Sequence, residues 1–105
     1  MIIAVASKGL SVADYFKHCT DFTFYTVEDG LITRTQNIPS TNYSPKESVD
    51  MMKSIGVEVL IVDEISSTVC NLFETANITV VKHAQGNSKN ATEEYLDDYL
   101  PISFK

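Results

Sequence analysis

The segment formed by residues 57–62, VEVLIV, restricts the fold of this chain more than any other. It is apolar at every position except Glu58. It therefore lacks the alternation of apolar and polar residues that is typical of a strand with one solvent-exposed face, and both of its faces are expected to be buried. Residues 2–6, IIAVA, have the same character, and the polar Ser7, Lys8 and Gly9 that follow indicate a strand ending in a loop. The two runs predict parallel neighbouring strands inside a sheet that carries helices on both sides.

A β-hairpin is predicted between these two strands. Residues 22–28 and 31–37 are strand-like and are joined by Asp29 and Gly30. Aspartate and glycine both tolerate the positive φ angles of a tight two-residue turn. The hairpin should add an antiparallel pair to the sheet.

Helix-capping residues and stripes of apolar side chains predict three helices and one further strand. The first helix is predicted from Pro45 to about Ile55, with a Ser44 and Glu47 capping box and Gly56 as its stop. A second helix starts at Ser66 or Ser67 and ends near Asn77, and residues 78–82 form the last strand. A third helix is predicted with Asn90 as its cap, a stripe of Tyr95, Leu96 and Tyr99, and an end before Pro101.

Together these elements predict a three-layer α/β fold with a five-stranded mixed sheet and flanking helices, in a single domain over residues 1–105. If the first strand and residues 57–62 are central neighbours, a crevice opens at their carboxyl ends. Ser7, Lys8, Asp63 and Glu64 are expected to line it.

Charge and composition exclude several partners. The chain has 14 acidic and 8 basic residues and a net charge of −6, which repels nucleic acid and anionic membrane surfaces. The apolar start is too short for a membrane span and has no basic region before it. We therefore expect a cytoplasmic protein whose two cysteines, Cys19 and Cys70, are free thiols.

His18 and Cys19 are the only adjacent histidine and cysteine in the sequence. In an extended chain they would point to opposite sides, so a local turn is needed for both to hold one metal ion. The alternative is that Cys19 fills an apolar space and His18 lies on the surface. His83 follows the last strand and could converge with His18, or be an ordinary loop residue.

The pair Asp63 and Glu64 offers a divalent cation site or a general base, yet metal-dependent hydrolysis needs more converging carboxylates than this. The chain contains no glycine-rich phosphate loop, G-x-S-x-G, HExxH or paired CxxC motif. No motif marks an enzyme, although a hydrolase using these two carboxylates stays as an alternative.

The stretch IIAVASKGLSVADYFKHCTDFTFYTVEDGLI resembles the opening of the dinitrogenase iron-molybdenum cofactor biosynthesis family. In that family an IAVAS-x-G strand precedes a His-Phe-Gly turn, a cysteine, an aromatic residue that starts the next strand, and a Y-x-V-x-x-G-x-I hairpin. The resemblance implies a ribonuclease H-like fold and a non-enzymatic protein that binds, carries or helps to assemble iron-sulfur or iron-molybdenum clusters. Its partners would be such a cluster, or a small anionic cofactor, and cluster-assembly proteins.

The chain departs from the family pattern at three places. Tyr15-Phe16-Lys17 stands where the family has His-Phe-Gly, the short IPSTNYS replaces a longer loop with a Gly-His-Gly type motif, and Asp63-Glu64-Ile65-Ser66 replaces Gly-Gly-x-Gly. The last change adds negative charge, which disfavours an anionic cluster at that spot.

Two functional hypotheses follow from the match and the departures. In the first, Cys19 binds a cluster with help from Ser7, Lys8 and His18, and the metal ligands are drawn from Cys19, His18 and His83. In the second, the chain is a protein-interaction or regulatory module that has lost the cofactor, with Tyr43 or Phe104 among its contacts.

Overall fold

The computed structural model describes residues 1–99, and every element below lies within them. The strands are β1 (Ile2–Lys8), β2 (Ser11–Val12), β3 (Asp21–Glu28), β4 (Leu31–Pro39), β5 (Val57–Ile61) and β6 (Thr79–Val81). The helices are α1 (Pro45–Ile55), α2 (Ser67–Thr75) and α3 (Ser88–Tyr99), and a single 3₁₀ turn spans Phe16–His18.

The sheet has the mixed topology that the sequence predicts. Its order is β4-β3-β1-β5-β6, with β1, β5 and β6 parallel and β3 and β4 antiparallel to their neighbours. The two apolar strands β1 and β5 are central neighbours, as expected. A sixth strand, β2, was not predicted: it is two residues long and pairs with the end of β1, too short to leave a periodic pattern.

The local signals of the hairpin and of α1 are confirmed. Asp29 and Gly30 both adopt positive φ, at 54° and 79°, the combination that a tight hairpin turn requires. At α1 the Ser44 hydroxyl accepts a hydrogen bond from the Glu47 N–H, and the Glu47 carboxylate accepts one from the Ser44 N–H. Gly56 ends the helix at a φ of 96°.

The predicted N-cap of α3 is wrong by three residues. The helix begins at Ser88, and the side chain of Asn87, rather than that of Asn90, accepts the capping hydrogen bond, from the Asn90 N–H at 3.0 Å. The reason is tertiary: Asn87 forms a bridge with Ser11, which places its backbone before the helix starts. Leu96 is buried and Tyr95 packs beside it, as predicted. The predicted end before Pro101 lies outside the described residues.

Helices cover both faces of the sheet, which gives the expected three layers. On the α1/α2 face, Phe16, Phe22 and Phe73 pack with Met52 and Leu60. On the α3 face, the core consists mainly of aliphatic side chains: Ile3, Val5, Val12, Val27, Val59, Ile61 and Leu96. Because neighbouring residues of a strand point to opposite faces, β1 supplies Ala4 and Ala6 to one core and Ile3 and Val5 to the other.

Within residues 1–99, none of the helices has the length and apolar character needed to cross a membrane.

Candidate functional site

The loop after β1 is held against the end of β5, and this places the 3₁₀ turn. The Phe16 N–H donates to the Glu64 carbonyl at 2.8 Å, and the Glu64 N–H donates to the Asp14 carbonyl at 3.2 Å. Phe16 then buries its ring against Phe22 and Phe73, with centroid distances of 6.0 and 5.6 Å. The turn is therefore fixed by backbone pairing on one side and by aromatic packing on the other.

Two neighbouring hollows flank this turn on the α1/α2 face. The Cys19 hollow has a volume of 400 Å³, and its wall includes Lys17, Cys19, Ser40 and Tyr43. The Glu64 hollow has a volume of 260 Å³ and is lined by Tyr15, Glu64, Ile65 and Ser66. The two hollows are adjacent, because Phe16, Lys17 and Val69 line both.

Cys19 is half-buried in the wall of its hollow. Its thiol donates to the Ser40 hydroxyl oxygen at 3.5 Å, and the Ser40 hydroxyl donates to the Cys19 carbonyl at 3.0 Å. Burial raises the pKa of the Cys19 thiol, the hydrogen bond to Ser40 opposes that rise, and the negative charge of Asp21 adds to it. Cys19 is thus a neutral thiol at neutral pH and must lose its proton before it binds a metal.

His18 has different neighbours from Cys19, although the two are adjacent in sequence. Its ring meets Tyr15 edge-on at a centroid distance of 5.4 Å, and its Nδ1 lies 3.6 Å from Asp14 Oδ1. The side chain is exposed and does not line the Cys19 hollow. The 3₁₀ turn supplies the local turn that a shared metal site needs, but it directs the two side chains apart.

Ser7 does not line the crevice, and that part of the prediction is wrong. Its side chain is fully buried, and its hydroxyl is hydrogen-bonded to the Asp21 carboxylate and, at 2.9 Å, to the Thr23 hydroxyl. The antiparallel register pairs Ser7 with Asp21, and this pairing keeps the Ser7 side chain away from the crevice. Lys8 is exposed at the end of β1, where it pairs with Ser11.

Asp63, Glu64 and His83 come together beyond the ends of β5 and β6. One ligand atom from each lies within 4.8 Å of the others, and His83 Nδ1 lies 3.9 Å from Glu64 Oε2. Within the described part of the chain, no other three such side chains converge. His83 therefore lies where the strand order predicts, but beside two carboxylates and not beside His18.

Sequence reasoning missed Lys17 and Ser40 as walls of the Cys19 hollow. In the sequence, Lys17 is only a departure from the family glycine, and Ser40 is only one residue of the short IPSTNYS segment. Nothing local marks either residue, because both are brought to Cys19 by pairing between distant segments: the Ser40 N–H donates to the Thr20 carbonyl at 3.1 Å.

Solved structures with the same fold support the architecture. PH0822 superimposes with a TM-score of 0.85 at 15% identity, covering 93% of this chain and 90% of its own. The apo form of the orange protein from Desulfovibrio gigas gives 0.76 at 19% identity, with 92% and 88% covered. A protein provisionally named a dinitrogenase, from Methanocaldococcus jannaschii, gives 0.74 at 17% identity, with 93% and 89% covered.

The sequence also matches a family model, although no curated protein matches it significantly. The match extends over residues 1–98, and the family is described as dinitrogenase iron-molybdenum cofactor. It spans all the elements that form the sheet and the two hollows, so it agrees with the resemblance drawn from the first third of the sequence. This chain belongs to the dinitrogenase iron-molybdenum cofactor family.

Proposed function

We propose that this chain is a non-enzymatic carrier or accessory protein that binds an anionic iron-sulfur or iron-molybdenum type cluster in the Cys19 hollow. The observation that carries the proposal is the position of the Cys19 sulfur, half-buried in the wall of a 400 Å³ hollow beside Lys17, in a chain of this family. The cluster is treated as cargo, and cluster-assembly proteins would be its donors and acceptors.

The charges that line the hollow suit an anion, although the Asp21 carboxylate lies near enough to Cys19 to act on its thiol. Lys17 contributes a positive side chain, and Pro45 and Ser48 bring the start of α1, the positive end of its dipole, to the same wall. Glu64 lines the neighbouring hollow instead. The acidic replacement noted in the sequence therefore leaves the Cys19 hollow itself without a carboxylate in its lining.

A single thiol limits how a cluster is held. One thiolate supplies one metal–sulfur bond, so a cluster in this hollow keeps its own sulfide ligands and is retained by charge and shape as well. Since the pKa of the Cys19 thiol is raised by burial, binding releases a proton and is expected to strengthen as the pH rises.

The test is anaerobic reconstitution with iron and sulfide, with and without molybdate. Cys70 provides a matched control, because it is the second free cysteine and is buried in α2. Wild type and Cys70→Ser should retain bound sulfide and sulfur-to-metal charge-transfer absorbance, and Cys19→Ser should lose both. Absence of bound sulfide in wild type, or equal sulfide loading of Cys19→Ser, would refute cluster binding at Cys19.

The absence of catalysis is part of the proposal, as is the cytoplasmic setting that two free cysteines favour. Cleavage of nucleic acid or phosphoesters that is stimulated by Mg²⁺ or Mn²⁺ and abolished by Asp63→Asn would instead support the hydrolase alternative.

A second candidate function is a protein-interaction or regulatory module that has lost the cofactor. It is favoured by Tyr15, which replaces the family histidine and is 46% exposed, and by Tyr43, 38% exposed at the rim of the Cys19 hollow. Restoring the family residues separates the two functions. If wild type takes up no cluster while the double variant Tyr15→His, Lys17→Gly does, the second candidate is supported and the first is not.

A further inference from the structure

We propose that Asp63, Glu64 and His83 bind one divalent transition-metal ion at a site separate from the Cys19 hollow. The proposal concerns the end of the parallel strands β5 and β6, and it holds whether or not a cluster binds at Cys19.

The backbones that carry the three side chains are held together beyond the strand ends. The His83 N–H donates to the Asp63 carbonyl at 2.9 Å, and the Ala84 N–H donates to the Val62 carbonyl at 3.0 Å. Glu64 is fixed separately, by its backbone hydrogen bonds to Asp14 and Phe16. Only side-chain rotations are therefore left to complete the site.

The distances fit one ion after a small movement. Two ligands bound to the same ion at about 2.1 Å are at most about 4.2 Å apart. His83 Nδ1 and Glu64 Oε2 are already within that limit at 3.9 Å, and the whole set lies within 4.8 Å. Glu64 and His83 are exposed, so closing the remaining gap disturbs no packed side chain.

The charge around the three residues also favours a cation. Among the residues described, neither carboxylate forms an ion pair with a lysine or arginine; Glu64 faces His83, and Asp63 Oδ2 accepts a weak hydrogen bond from the Gln85 amide at 3.4 Å. The two adjacent carboxylates bring a charge of about −2 to the site, which a divalent ion neutralises.

Two other acidic groups in the fold lack this combination. Asp14 and His18 approach to 3.6 Å but have no third ligand with them. The Asp21 carboxylate already accepts hydrogen bonds from Ser7 and from the Gly9 N–H. Among residues 1–99, three side chains that can each offer a metal-ligand atom therefore converge only at the ends of β5 and β6.

The donor set defines the class of metal. One imidazole nitrogen and two carboxylates, without sulfur, suit Zn²⁺, Co²⁺, Fe²⁺ or Mn²⁺ better than Mg²⁺, which prefers oxygen ligands only. Three protein ligands leave at least one position open to water or to another ligand.

The experiment titrates tag-free, chelator-treated protein with Co²⁺ and with Zn²⁺, using equilibrium dialysis and the Co²⁺ spectrum. The spectrum distinguishes nitrogen and oxygen ligands from thiolate, which gives intense charge-transfer absorbance. The test variant is His83→Asn, because His83 has a φ of 68° and asparagine tolerates that conformation better than alanine. Asp63→Asn is the second test variant, and His18→Asn is the matched control.

We expect one ion per chain, without thiolate absorbance, and at least about a tenfold loss of affinity in His83→Asn and Asp63→Asn. His18→Asn and Cys19→Ser should bind as wild type does, which also separates this result from the fate of the cluster proposal. Absence of saturable binding up to roughly millimolar metal, unchanged binding in His83→Asn, or loss of binding in Cys19→Ser would overturn the proposal.

Discussion

The two faces of the sheet are both well buried, but they differ in what lies at the end of β1. On the α1/α2 face, the 3₁₀ turn at Phe16–His18 inserts between the sheet and two helices, and the Cys19 hollow opens beside it. On the α3 face, β2 pairs with the end of β1, and hydroxyls from Ser7 and Thr23 fill the space next to it. At this strand end a hollow therefore opens on the α1/α2 face and a buried hydroxyl cluster lies on the α3 face, whose own 320 Å³ hollow lies elsewhere, between the β3–β4 turn and α3.

This difference comes from how the loop after β1 packs on each face. Phe16 anchors the loop through ring contacts with Phe22 and Phe73, and Cys19 then follows at the surface of that aromatic cluster. Val12, from the same loop, packs instead into the α3-face core. We therefore expect changes on the α1/α2 face to affect both stability and Cys19, and changes on the α3 face to affect stability alone.

Truncation of Phe73 should produce the largest effect. Phe73→Ala removes a fully buried ring and should lower the free energy of unfolding by about 3–5 kcal/mol. In a Cys70→Ser background it should also speed thiol labelling of Cys19, since Phe16 loses one of its two aromatic partners. Denaturant unfolding and labelling rates measure the two effects.

Leu96→Ala is the counterpart on the α3 face. It removes a buried side chain from the other core and should cost about 2–5 kcal/mol, with the native-state labelling rate of Cys19 unchanged. Equal acceleration of Cys19 labelling in both variants would contradict the expectation that only changes on the α1/α2 face affect Cys19.

Ser7→Ala should give an intermediate effect. Removal of the buried hydroxyl leaves Asp21 and Thr23 without one hydrogen-bond partner and should cost about 1–3 kcal/mol. Metal uptake by reconstituted protein should be unchanged, because Ser7 faces away from the Cys19 hollow. Loss of metal uptake in a variant that is still folded at the assay temperature would show that Ser7 contributes to the site after all.

Ser44→Ala should cost about 1 kcal/mol, as for other N-cap serines. It removes the hydroxyl that accepts from the Glu47 N–H at the start of α1. Because Pro45 lines the Cys19 hollow, the labelling rate of Cys19 should rise slightly. Gln36→Ala, on the exposed β4 strand, is a control that should change neither stability nor labelling.

The smallest effect expected is the pH dependence of stability in mild alkali. Burial raises the pKa of both cysteine thiols in the folded chain. Their contribution to stability is therefore complete below the ordinary thiol pKa of about 8.5 and is lost as the pH rises from there towards the folded-state values. Unfolding in denaturant between neutral pH and mild alkali should show this decline, and the double variant Cys19→Ser, Cys70→Ser should flatten it. An equally steep decline without the thiols would assign it to other groups, of which Tyr25, with its pKa also raised by burial, is one.

The elements whose signals are local could be predicted from the sequence alone. The apolar runs predicted β1 and β5, Asp29 and Gly30 predicted the hairpin turn, and the serine–glutamate box predicted the start of α1, because each depends on conformational preferences within a few residues. The family and the layered fold could be inferred for the same reason: the local signals follow each other in a recognisable order.

Tertiary structure decided where the candidate site residues lie. His18 and Cys19 are adjacent in sequence but are directed to different neighbours, and His83 joins Asp63 and Glu64 only because β5 and β6 are paired. Ser7 does not line the crevice, because its register with β3 buries its side chain. Strand pairing and loop packing bring together residues that are distant along the chain, and no local pattern encodes those distances.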